Sequence, residues 1–532
     1  MTTQDASPAT QSSATDSLVQ ELGNLVGREY VNTDAKTLLL AAQDIYRSGH
    51  TPLAVVTPAD TEQTSAVVKA AHAAGAAIFP RGGGMSYTDA HLPTQNHAII
   101  LDTSRLNKIR KINAHDLYVT VEAGCTWYEL QQALAKHSVR TTFWGPMSGR
   151  VSTIGGAVSQ GAVTLGSARN GSSITATLGL EIVLADGSVM VTGSASQPEH
   201  SAFYREYGPD MTGIFCADSG SLGIKTAITL RLEPLPTKAT GLSYSFNDFP
   251  SLLEAVRLIS RHKVATEIFG AETRLVKEVA GTPDLMNDAR QMLQMVKHSD
   301  KPFATLAKVL NIAKNGRSFL DKSKYLINFL TEADSGRELN ANIARIRELA
   351  GDKGVETANT VAIMTQETPF PDPMVLGPGG RRLLPLHTIV PYSKADALQQ
   401  SFDTVLAEHK QLCEKHNIDI FVVYATCGTA GFLWECVIYW PDEWLPLHEK
   451  TLPNEILDTM KPSTANPDAQ QAVDQIKESI IDLMYQNGGT HYQIGRTYPY
   501  TRNRNDASLS LLKDIKSKLD PDNIMNPGVL GL

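Results

Sequence analysis

The sequence predicts an α+β fold divided into two domains. Three observations support this: the chain length, the alternation of helix and strand patterns, and one proline-rich boundary. At 532 residues, the chain exceeds the size at which a single hydrophobic core usually stops growing. Helical and strand-like hydrophobic periods alternate along it without a fixed repeat. The strand-like stretch "GSLGIKTAITLRLEPLP" ends at Pro234 and Pro236, which places the predicted domain boundary at residue 236.

The distribution of polar, apolar and proline residues predicts five segments. Residues 1–20 form a polar leader that we expect to be disordered, because it offers little apolar surface to bury. A helical segment is predicted at 21–47, a first domain at 48–236 and a second domain at 237–500. The C-terminal segment, 501–532, is predicted to return to the first domain.

Composition and charge exclude several classes of protein. Hydrophobic residues make up 42% and charged residues 20% of the chain, with a formal net charge of −8. An acidic balance argues against a nucleic-acid partner, which usually requires a basic face. The sequence has no apolar run of about 18 residues, the length that would predict a transmembrane helix. Its N-terminus lacks the basic and apolar regions of a secretory signal.

The cysteine pattern indicates reduced thiols. No C-x-x-C pair occurs, and the number of cysteines is odd. A disulfide framework or a zinc site is therefore disfavoured, and a cytoplasmic location is expected. The five residues are Cys125, Cys216, Cys413, Cys427 and Cys436.

The first domain is predicted to open with strand, helix and strand. "PLAVVTPAD" is a short strand followed by a helix cap at Asp60, and "TEQTSAVVKAAHAAGA" has an amphipathic helical period. "AIFP" then leads into a glycine-rich loop. Further on, Thr126 and Glu129 form a capping-box pattern at the start of a helix. Asp186-Gly187 predicts a hairpin turn between two β-rich runs.

The second domain is predicted to combine amphipathic helices with a second sheet. "LLEAVRLISRH" and "ANIARIRELAG" have helical apolar periods. "LLPLHTIVPY", "IDIFVVYAT" and "FLWECVIYW" are rich in β-branched and aromatic residues, as strands are. The last two are close enough in sequence to form a hairpin of this sheet.

Two glycine-rich loops are the strongest candidates for ligand binding. "PRGGGMSYT" and "STIGGAVSQGA" present many backbone N–H groups with no Cβ to keep a ligand away, and such arrays bind anions. A pyrophosphate lying between the loops would explain both, and a pair of close-packed turns is the structural alternative. A P-loop is excluded because G-x-x-x-x-G-K-[ST] is absent. The Rossmann G-x-G-x-x-G pattern fails at Tyr87, which disfavours a NAD-linked dehydrogenase.

The order of the motifs resembles that of the vanillyl-alcohol oxidase / para-cresol methylhydroxylase superfamily. The motifs, found between Pro52 and Pro236, are "PRGGGMSYTDAHLPTQNHAIILDTSRLN", "VTVEAGCTWYELQQAL", "STIGGAVSQGA", "LEIVLADGSV" and "SGSLGIKTAITLRLEPLP". The ending "LDPDNIMNPGVL" is similar to the C-terminal signature of the D-lactate dehydrogenase, glycolate oxidase subunit and 4-cresol dehydrogenase branches. The resemblance implies a PCMH-type, two-subdomain FAD-binding domain and an α+β substrate-binding cap domain.

The resemblance also implies which residues hold FAD. The first loop would surround the pyrophosphate, the second would lie beside it, and the turn into the last strand of the domain would approach the adenine or ribose. The candidates are Arg81, Gly82, Gly83, Gly84, Met85 and Ser86; Ser152, Thr153, Gly155 and Gly156; Gly223 and Ile224; and Asn526 of the C-terminal signature.

Non-covalent FAD is predicted from Met85. Members of the superfamily that attach FAD through the first loop have a histidine where Met85 stands, and a thioether cannot form that bond. His91 and His97 are interpreted as loop-surface residues. Attachment through a residue of the cap domain stays open.

The substrate residues are expected in the second domain. The loop "GGTHYQIGRTYPYTR" offers His491 or Tyr498 as a base for a hydroxyl proton, and Arg496 as a partner for a substrate anion. A solvated, tyrosine-rich loop is the structural alternative. Tyrosines at 498, 500 and 424 would fit the phenolate site of the cresol and vanillyl-alcohol branch.

His387 is the remaining candidate catalytic residue. It lies in the apolar strand "PLHTIVPYS", which the resemblance places over the flavin, and a satisfied core histidine is the alternative. The D-lactate and glycolate branch places a metal near further histidines and a glutamate. Thr490 replaces that glutamate here and no second histidine follows His387, so no metal is assigned.

These expectations combine into one function with open alternatives. The resemblance implies an FAD-dependent oxidoreductase that passes hydride from an alcohol carbon of a small molecule to the flavin. A 2-hydroxy acid is slightly favoured over a phenolic alcohol or 4-alkylphenol. A flavin-binding electron-transfer subunit without its own substrate is a further alternative. The electron acceptor (quinone, cytochrome or oxygen) and a homo-oligomeric state stay open.

Overall fold

The first subdomain is a four-stranded, mostly parallel sheet. The computed structural model of the protein describes residues 8–280 and 323–532. In this sheet the strand order is β1-β2-β4-β3, and β2, β4 and β3 run parallel. The parallel pairing requires a crossover, which helix α3 (Thr61–Ala73) supplies. The strands are β1 (Val31–Asn32), β2 (Ala54–Val56), β3 (Ala77–Arg81) and β4 (Ala98–Asp102).

The N-terminal segment packs on this subdomain. Residues 1–7 of the predicted leader lie outside the described residues, and residues 8–20 lie within helix α1 (Pro8–Val26). Leu18, Leu22 and Val26, spaced four apart, bury one face of α1 against α3. The helix predicted for 21–47 ends at Val26, because Gly27 follows with φ +96°. Strand β1 and helix α2 (Ala35–Ala41) then occupy part of that range.

The second subdomain is an antiparallel sheet with the order β5-β6-β10-β8-β9 and β7 paired to β10. The predicted hairpin at Asp186-Gly187 and the capping box of Thr126 and Glu129 are both confirmed. The strands are β5 (Ile109–Asn113), β6 (Tyr118–Glu122), β7 (Val139–Thr141), β8 (Thr177–Val183), β9 (Val189–Val191) and β10 (Ile224–Pro234). The helices are α4 (Trp127–Ala135), α5 (Ile154–Gln160), α6 (Ser167–Asn170), α7 (Ser173–Ala176) and α8 (Met211–Ile214).

The second domain is built on a seven-stranded antiparallel sheet with the order β14-β11-β13-β12-β16-β17-β15. The predicted hairpin of "IDIFVVYAT" and "FLWECVIYW" is confirmed as β16 and β17. The strands are β11 (Lys238–Phe246), β12 (Glu267–Glu272), β13 (Tyr325–Ala333), β14 (Val355–Thr357), β15 (Arg382–Pro391), β16 (Asp419–Cys427) and β17 (Gly431–Trp440).

Helices cover one face of this sheet and leave the other face toward the first domain. The main core contains residues from α9 (Phe249–Arg261), α11 (Gly336–Ala350), α13 (Tyr392–Glu408) and α17 (Pro467–Gln486). In β15, Leu384 and Leu386 belong to that core, whereas Leu383 and Pro385 point to the opposite side. This alternation follows from the two-residue period of a strand.

The remaining helices lie around this sheet and in the C-terminal segment. They are α10 (Thr273–Ala280), α12 (Thr360–Glu367), α14 (Lys410–His416), α15 (Pro446–Thr451), α16 (Asn454–Leu457) and α18 (Asp506–Leu519). After α18 the chain returns to the first domain, where Ile78 N donates to Ile524 O and Asn526 N donates to Ile78 O, at 2.7 and 2.9 Å.

The five cysteines are all free thiols: three are buried, and Cys413 and Cys427 are partly buried. None of the helices described is both long enough and apolar enough to span a bilayer.

Candidate active site

A cavity of about 430 Å³ lies between the first domain and the face of the seven-stranded sheet that the helices leave uncovered. Both glycine-rich loops line it on one side. Alternate residues of β12, β15, β16 and β17 line it on the other. Every first-domain residue predicted to hold FAD lines this cavity: Arg81, Gly82, Gly83, Gly84, Met85, Ser86, Ser152, Thr153, Gly155, Gly156, Gly223 and Ile224.

The glycines of the first loop allow it to lie directly on the second. A Cβ at Gly82 would be 2.3 Å from Thr153 Oγ1, and a Cβ at Gly83 would be 2.1 Å from Val151 O. Neither distance is tolerated by a real side chain. The two glycines are therefore required by loop-to-loop contact, so the close-packed turns considered above are present.

The first loop also presents unpaired hydrogen-bond donors. Within the described residues, the main-chain N–H groups of residues 83–86 donate to no acceptor. Arg81 Nε is buried with no hydrogen-bond partner in residues 8–280 and 323–532, although Arg81 Nη1 contacts Asp102 at 3.2 Å. A concave set of free amides beside a guanidinium is the environment that a phosphate requires. These residues fit the pyrophosphate of FAD.

The second loop contributes in a different way. Gly155 N donates to Ala123 O at 2.8 Å, and a Cβ at Gly155 would lie 2.7 Å from Ala123 Cβ. Gly155 thus holds the start of α5 against the end of β6, and its amide is not free for a ligand. Thr153 caps α5 by accepting from Gly156 N at 3.2 Å. The result is a fixed helix start beside the unpaired amides.

Asn526 stabilises the loops around the cavity and does not line it. Its Nδ2 donates to Ala90 O and Ser219 O at 2.7 and 2.6 Å, and its Oδ1 accepts from Arg496 Nη2 at 2.7 Å. It therefore joins the first loop region, the 218–224 turn and the C-terminal segment. Asn526 positions residues that face the cavity.

None of the four predicted catalytic side chains, His387, His491, Arg496 and Tyr498, lines the cavity. Arg496 donates to Pro527 O at 2.8 Å, to Asp89 O and to Asn526 Oδ1. Its guanidinium is already engaged by acceptors of the protein. The structure thus places Arg496 as a connection between the C-terminal segment and the first loop.

The other three predicted residues form an aromatic cluster in which His387 and Tyr498 are buried and His491 is partly buried. His387 is fully buried, and its ring packs on Tyr492 with centroids 3.9 Å apart. Tyr498 Oη accepts from His387 N at 2.8 Å, and the His491 ring stacks on Tyr498 at 4.0 Å. Tyr492 is the member of this loop that reaches the cavity, together with its neighbour Gln493.

Glu435 is a site residue that the sequence interpretation missed. It is the cross-strand partner of His387 and lines the cavity, with Oε2 4.0 Å from His387 Nδ1. Burial raises the pKa of its carboxyl to about 7. Tyr439 of the same strand and Tyr87 of the first loop line the cavity as well. The sequence signal that could have identified Glu435 is that it is the one charged residue in the otherwise apolar strand "FLWECVIYW".

Hydrogen bonding fixes the tautomer of His387. Its Nε2 lies 2.7 Å from Tyr492 O, and because a carbonyl only accepts, Nε2 carries the proton. Burial lowers the pKa of His387 to about 3, so the ring is neutral. Nδ1 is then an acceptor that faces Glu435 and has no hydrogen-bond partner among the described residues. The pair is suited to hold a protonated Glu435.

Two further residues differ from the sequence interpretation. His91 is buried and lines the cavity, with Nε2 3.1 Å from Gln43 O, and burial lowers its pKa to about 3. It is therefore a neutral wall residue and not a loop-surface residue. Tyr424 faces the helices, where its hydroxyl donates to Gln399 Oε1 at 3.1 Å.

The charged side chains that the second domain contributes to the cavity, as far as the structure describes it, are all acidic: Glu267, Asp372 and Glu435. Glu267 Oε2 accepts from Gly166 N at 2.6 Å, and burial raises the pKa of this carboxyl to about 8. Potential metal sites, sought as clusters of three or more His, Cys, Asp or Glu side chains, are absent from the described ranges.

Two protein-family models match the chain. The model described as "FAD binding domain" matches residues 52–193, and the model described as "FAD linked oxidases, C-terminal domain" matches residues 235–530. The second match alone covers more than half of the chain. The change from one model to the other falls between residues 193 and 235, just before the boundary predicted at 236.

Curated relatives match over part of their length. D-lactate dehydrogenase [cytochrome] 1 of Saccharomyces cerevisiae is 29% identical, over 44% of this chain and 40% of its own. Glycolate oxidase subunit GlcD of Bacillus subtilis is 26% identical, over 50% and 56%. The 4-cresol dehydrogenase flavoprotein subunit of Pseudomonas putida is 27% identical, over 45% and 46%. The chain thus spans about half the length of the curated relatives it matches.

Solved structures share the fold over nearly the whole chain. p-Cresol methylhydroxylase superposes with a TM-score of 0.71 at 18% identity, covering 98% of this chain and 97% of that structure. An alkyldihydroxyacetonephosphate synthase superposes with a TM-score of 0.67 at 16% identity, covering 96% and 84%. At these identities the likeness establishes the two-domain architecture alone.

Proposed function

This chain belongs to the FAD-linked oxidases, and we propose that it is an FAD-dependent oxidoreductase acting on a CH–OH or benzylic carbon of a small, uncharged, largely apolar substrate. The observation that carries the proposal is Glu435, a carboxyl of raised pKa that faces the cavity among Tyr87, Tyr439 and Tyr492. When bound, FAD supplies the acceptor for a hydride. The protein supplies binding, orientation and proton transfer.

The first domain would hold the cofactor by its pyrophosphate. The free amides of residues 83–86 and the guanidinium of Arg81 provide the donors. Thr153 and Gly156, at the start of α5, line the cavity beside the first loop. These contacts are non-covalent, which agrees with the methionine at position 85 of the first loop.

Glu435 would act as the base. As hydride leaves the substrate carbon, the hydroxyl proton passes to the Glu435 carboxylate, which balances the two-electron oxidation. A base works best when its pKa lies near the working pH, and about 7 satisfies this condition. His387 Nδ1, an acceptor with no hydrogen-bond partner in the part of the chain that the structure describes, faces the carboxyl and can receive a hydrogen bond from its protonated form.

The charges of the cavity support an uncharged substrate over a carboxylate. The described residues of the second domain give the cavity no cationic side chain that could pair with a substrate carboxylate, and Arg496, the predicted anion partner, is engaged elsewhere. Apolar residues of the sheet face supply the remaining wall. A phenol or aryl alcohol therefore fits better than a 2-hydroxy acid.

A 2-hydroxy acid is the second candidate, because the relatives named above include D-lactate dehydrogenase and a glycolate oxidase subunit. Anaerobic titration of the purified, FAD-loaded protein distinguishes the two classes. Bleaching of the flavin absorbance by 4-alkylphenols or aryl alcohols, and not by D-lactate or glycolate, is the expected result. Bleaching by the hydroxy acids alone would reverse the choice of substrate.

A matched pair of variants tests the base. Glu435→Gln is expected to slow bleaching by about 100- to 10,000-fold, the usual contribution of a general base. Glu414→Gln changes an exposed glutamate of the same domain and should leave the rate unchanged. Full-rate bleaching by Glu435→Gln would remove this residue from the mechanism. A bound flavin that no substrate of either class bleaches would favour an electron-transfer subunit.

A further inference from the structure

The first domain exposes an aromatic surface in the segment that follows β9. Phe203, Tyr204 and Tyr207 are 56%, 45% and 57% exposed. Aromatic side chains offer about 150–250 Å² each, so the three together expose about 300 Å². Apolar surface of this extent on a protein is often functional. We call these three residues, together with the exposed Met211, the aromatic patch.

Hydrogen bonds fix the aromatic patch at the edge of the antiparallel sheet. Ser194 N donates to Tyr204 O at 2.8 Å, and Tyr204 N donates to Ser194 Oγ at 3.2 Å. The Phe203 and Tyr204 rings have centroids 6.1 Å apart, and the Tyr207 hydroxyl is bonded to the Gln197 amide. Both anchoring residues, 194 and 197, belong to the turn after β9, which is the edge strand of its sheet. The patch is therefore a built surface with a defined position.

The charged residues around the aromatic patch are mainly acidic. Arg205 is the only lysine or arginine between residues 186 and 212, and its guanidinium is paired with Asp210 at 2.8 Å. Glu199 and Glu206 of the same segment are exposed. An acidic rim attracts a partner whose own rim is basic. It opposes contact with a second copy of this chain, which carries the same acids and a net charge of −8.

The segment that carries the patch is joined to the cavity through helix α7. Ala157 and Ala162 line the cavity. Ser173 donates to both of their carbonyl groups, through Oγ at 2.9 Å and through N at 3.0 Å. The next residue, Ile174, accepts at its carbonyl from Arg205 Nη1 at 2.6 Å. Two hydrogen bonds and one peptide link therefore separate the cavity wall from the patch segment.

The part of the wall that α7 contacts lies at the reacting end of the cavity. Val163, the residue after Ala162, packs with Leu433 and Tyr492. Leu433 and Glu435 face the cavity from the same side of β17. A short path of covalent and hydrogen bonds thus runs from the reacting end of the cavity to the aromatic patch.

We propose that the aromatic patch is the docking surface of a basic, one-electron redox protein that reoxidises the cofactor. This inference rests on the proposed function, because the electrons come from the substrate. Two molecules of a ferric haem protein would each accept one electron from the reduced flavin anion, which returns to its oxidised form as one proton passes to solvent. Redox partners form small interfaces that bury less than about 1,200 Å² in total, which suits a patch of this size. Tyrosine, phenylalanine and methionine are typical of interface cores.

Electron transfer from the photoreduced protein tests the surface without any substrate. The FAD-loaded protein is reduced photochemically in the absence of oxygen and mixed with ferricytochrome c, a basic haem protein, and haem reduction is followed by absorbance. The matched probe is succinylated ferricytochrome c, in which the lysines of the same haem protein are made acidic. At low ionic strength the succinylated form should react at least about tenfold more slowly. The difference should shrink as salt is added, because salt screens exposed charges.

Variants locate the docking surface. Phe203→Ser and Tyr207→Ser should each lower the rate constant for cytochrome c at least about fivefold, the loss typical of an aromatic side chain at the centre of an interface. Leu511→Ser changes an exposed leucine of α18 and should leave this rate constant unchanged. Glu206→Lys should slow the reaction with native cytochrome c and accelerate the reaction with the succinylated form. Reduction of a small dye, 2,6-dichlorophenolindophenol, should be the same in all four variants and in the parent protein.

Several results would overturn the proposal. These are equal rates with the two forms of cytochrome c, unchanged rates in both aromatic variants, and an equal loss with the dye, which would place the effect at the flavin. A dimer that Tyr207→Ser dissociates, measured by light scattering, would assign the patch to a second copy of the chain. Patch-dependent transfer to cytochrome c in a protein that no alcohol or phenol bleaches would support the docking surface and reject the proposed function. Bleaching by a substrate without transfer to cytochrome c would do the opposite.

Discussion

Replacing Glu435 by glutamine should stabilise the folded protein at neutral and alkaline pH. Burial raises the pKa of this carboxyl from an ordinary value of 4.5 to about 7. The unfolded chain therefore releases the proton at lower pH than the folded chain does. This carboxyl therefore costs no stability below pH 4.5. The free energy of unfolding falls as the pH rises from 4.5 to about 7 and is constant with respect to this group above that. At about 1.4 kcal/mol per pH unit, the cost above pH 7 is about 3 kcal/mol.

Thermal unfolding of the FAD-saturated protein between pH 4.5 and 8.5 measures this effect. For a domain of about 150–250 residues, about 3 kcal/mol corresponds to about 6–12 °C in the unfolding midpoint. Glu435→Gln should match the parent protein near pH 4.5 and exceed it by this margin at pH 8. Glu414→Gln, at an exposed position, serves as the control. Equal midpoints for Glu435→Gln and the parent protein at pH 8 would refute a buried carboxyl of raised pKa.

Two further predictions concern the cofactor loops. Gly83→Val places a Cβ 2.1 Å from Val151 O. The resulting overpacking of about 1–3 kcal/mol should weaken FAD binding about 5- to 150-fold, measured by fluorescence titration. The control variant Gly336→Val, at a position with open space around it, should bind FAD normally. Arg496→Ala removes bonds to Pro527, Asp89 and Asn526 and should lower stability by at least about 3 kcal/mol together with FAD affinity, while the FAD-loaded fraction keeps its kcat. A lower kcat at unchanged stability would indicate instead that Arg496 contacts the substrate.

The cofactor half of the site was predictable because its chemistry is carried by the backbone. Free amides and close loop contacts require glycine, and glycine is visible in a sequence. Gly82 and Gly83 lie in close contact with the second loop, and their predicted role in binding FAD stays a prediction. The role of Gly155 was harder to predict, because an amide donating to Ala123 O and a free amide are identical at the level of the sequence.

The substrate half was less predictable because it depends on strand register. Most of the predicted catalytic residues were chosen from the polar loop 488–502. Within the described part of the chain, Tyr492 and Gln493 are the only residues of this loop that reach the cavity. Glu435 faces the cavity because Leu433, Glu435 and Val437 share one side of β17. A shift of one residue would have put Trp434 and Cys436 there instead. Composition identifies β17 as a strand without fixing which side meets the first domain.

In the second domain, the residues that form the core and the residues that line the cavity lie on opposite faces of the antiparallel sheet. Along β17 the helix-facing residues Trp434, Cys436 and Ile438 belong to the main core, while the cavity-facing residues between them are free to carry a carboxyl or an apolar wall. Neighbouring strands lie about 4.8 Å apart, so a single row across the sheet brings His387 and Glu435 together. A change at a cavity-facing position alters the substrate wall without creating a void in the core. The same two-domain architecture can therefore accept different substrates over an unchanged flavin site.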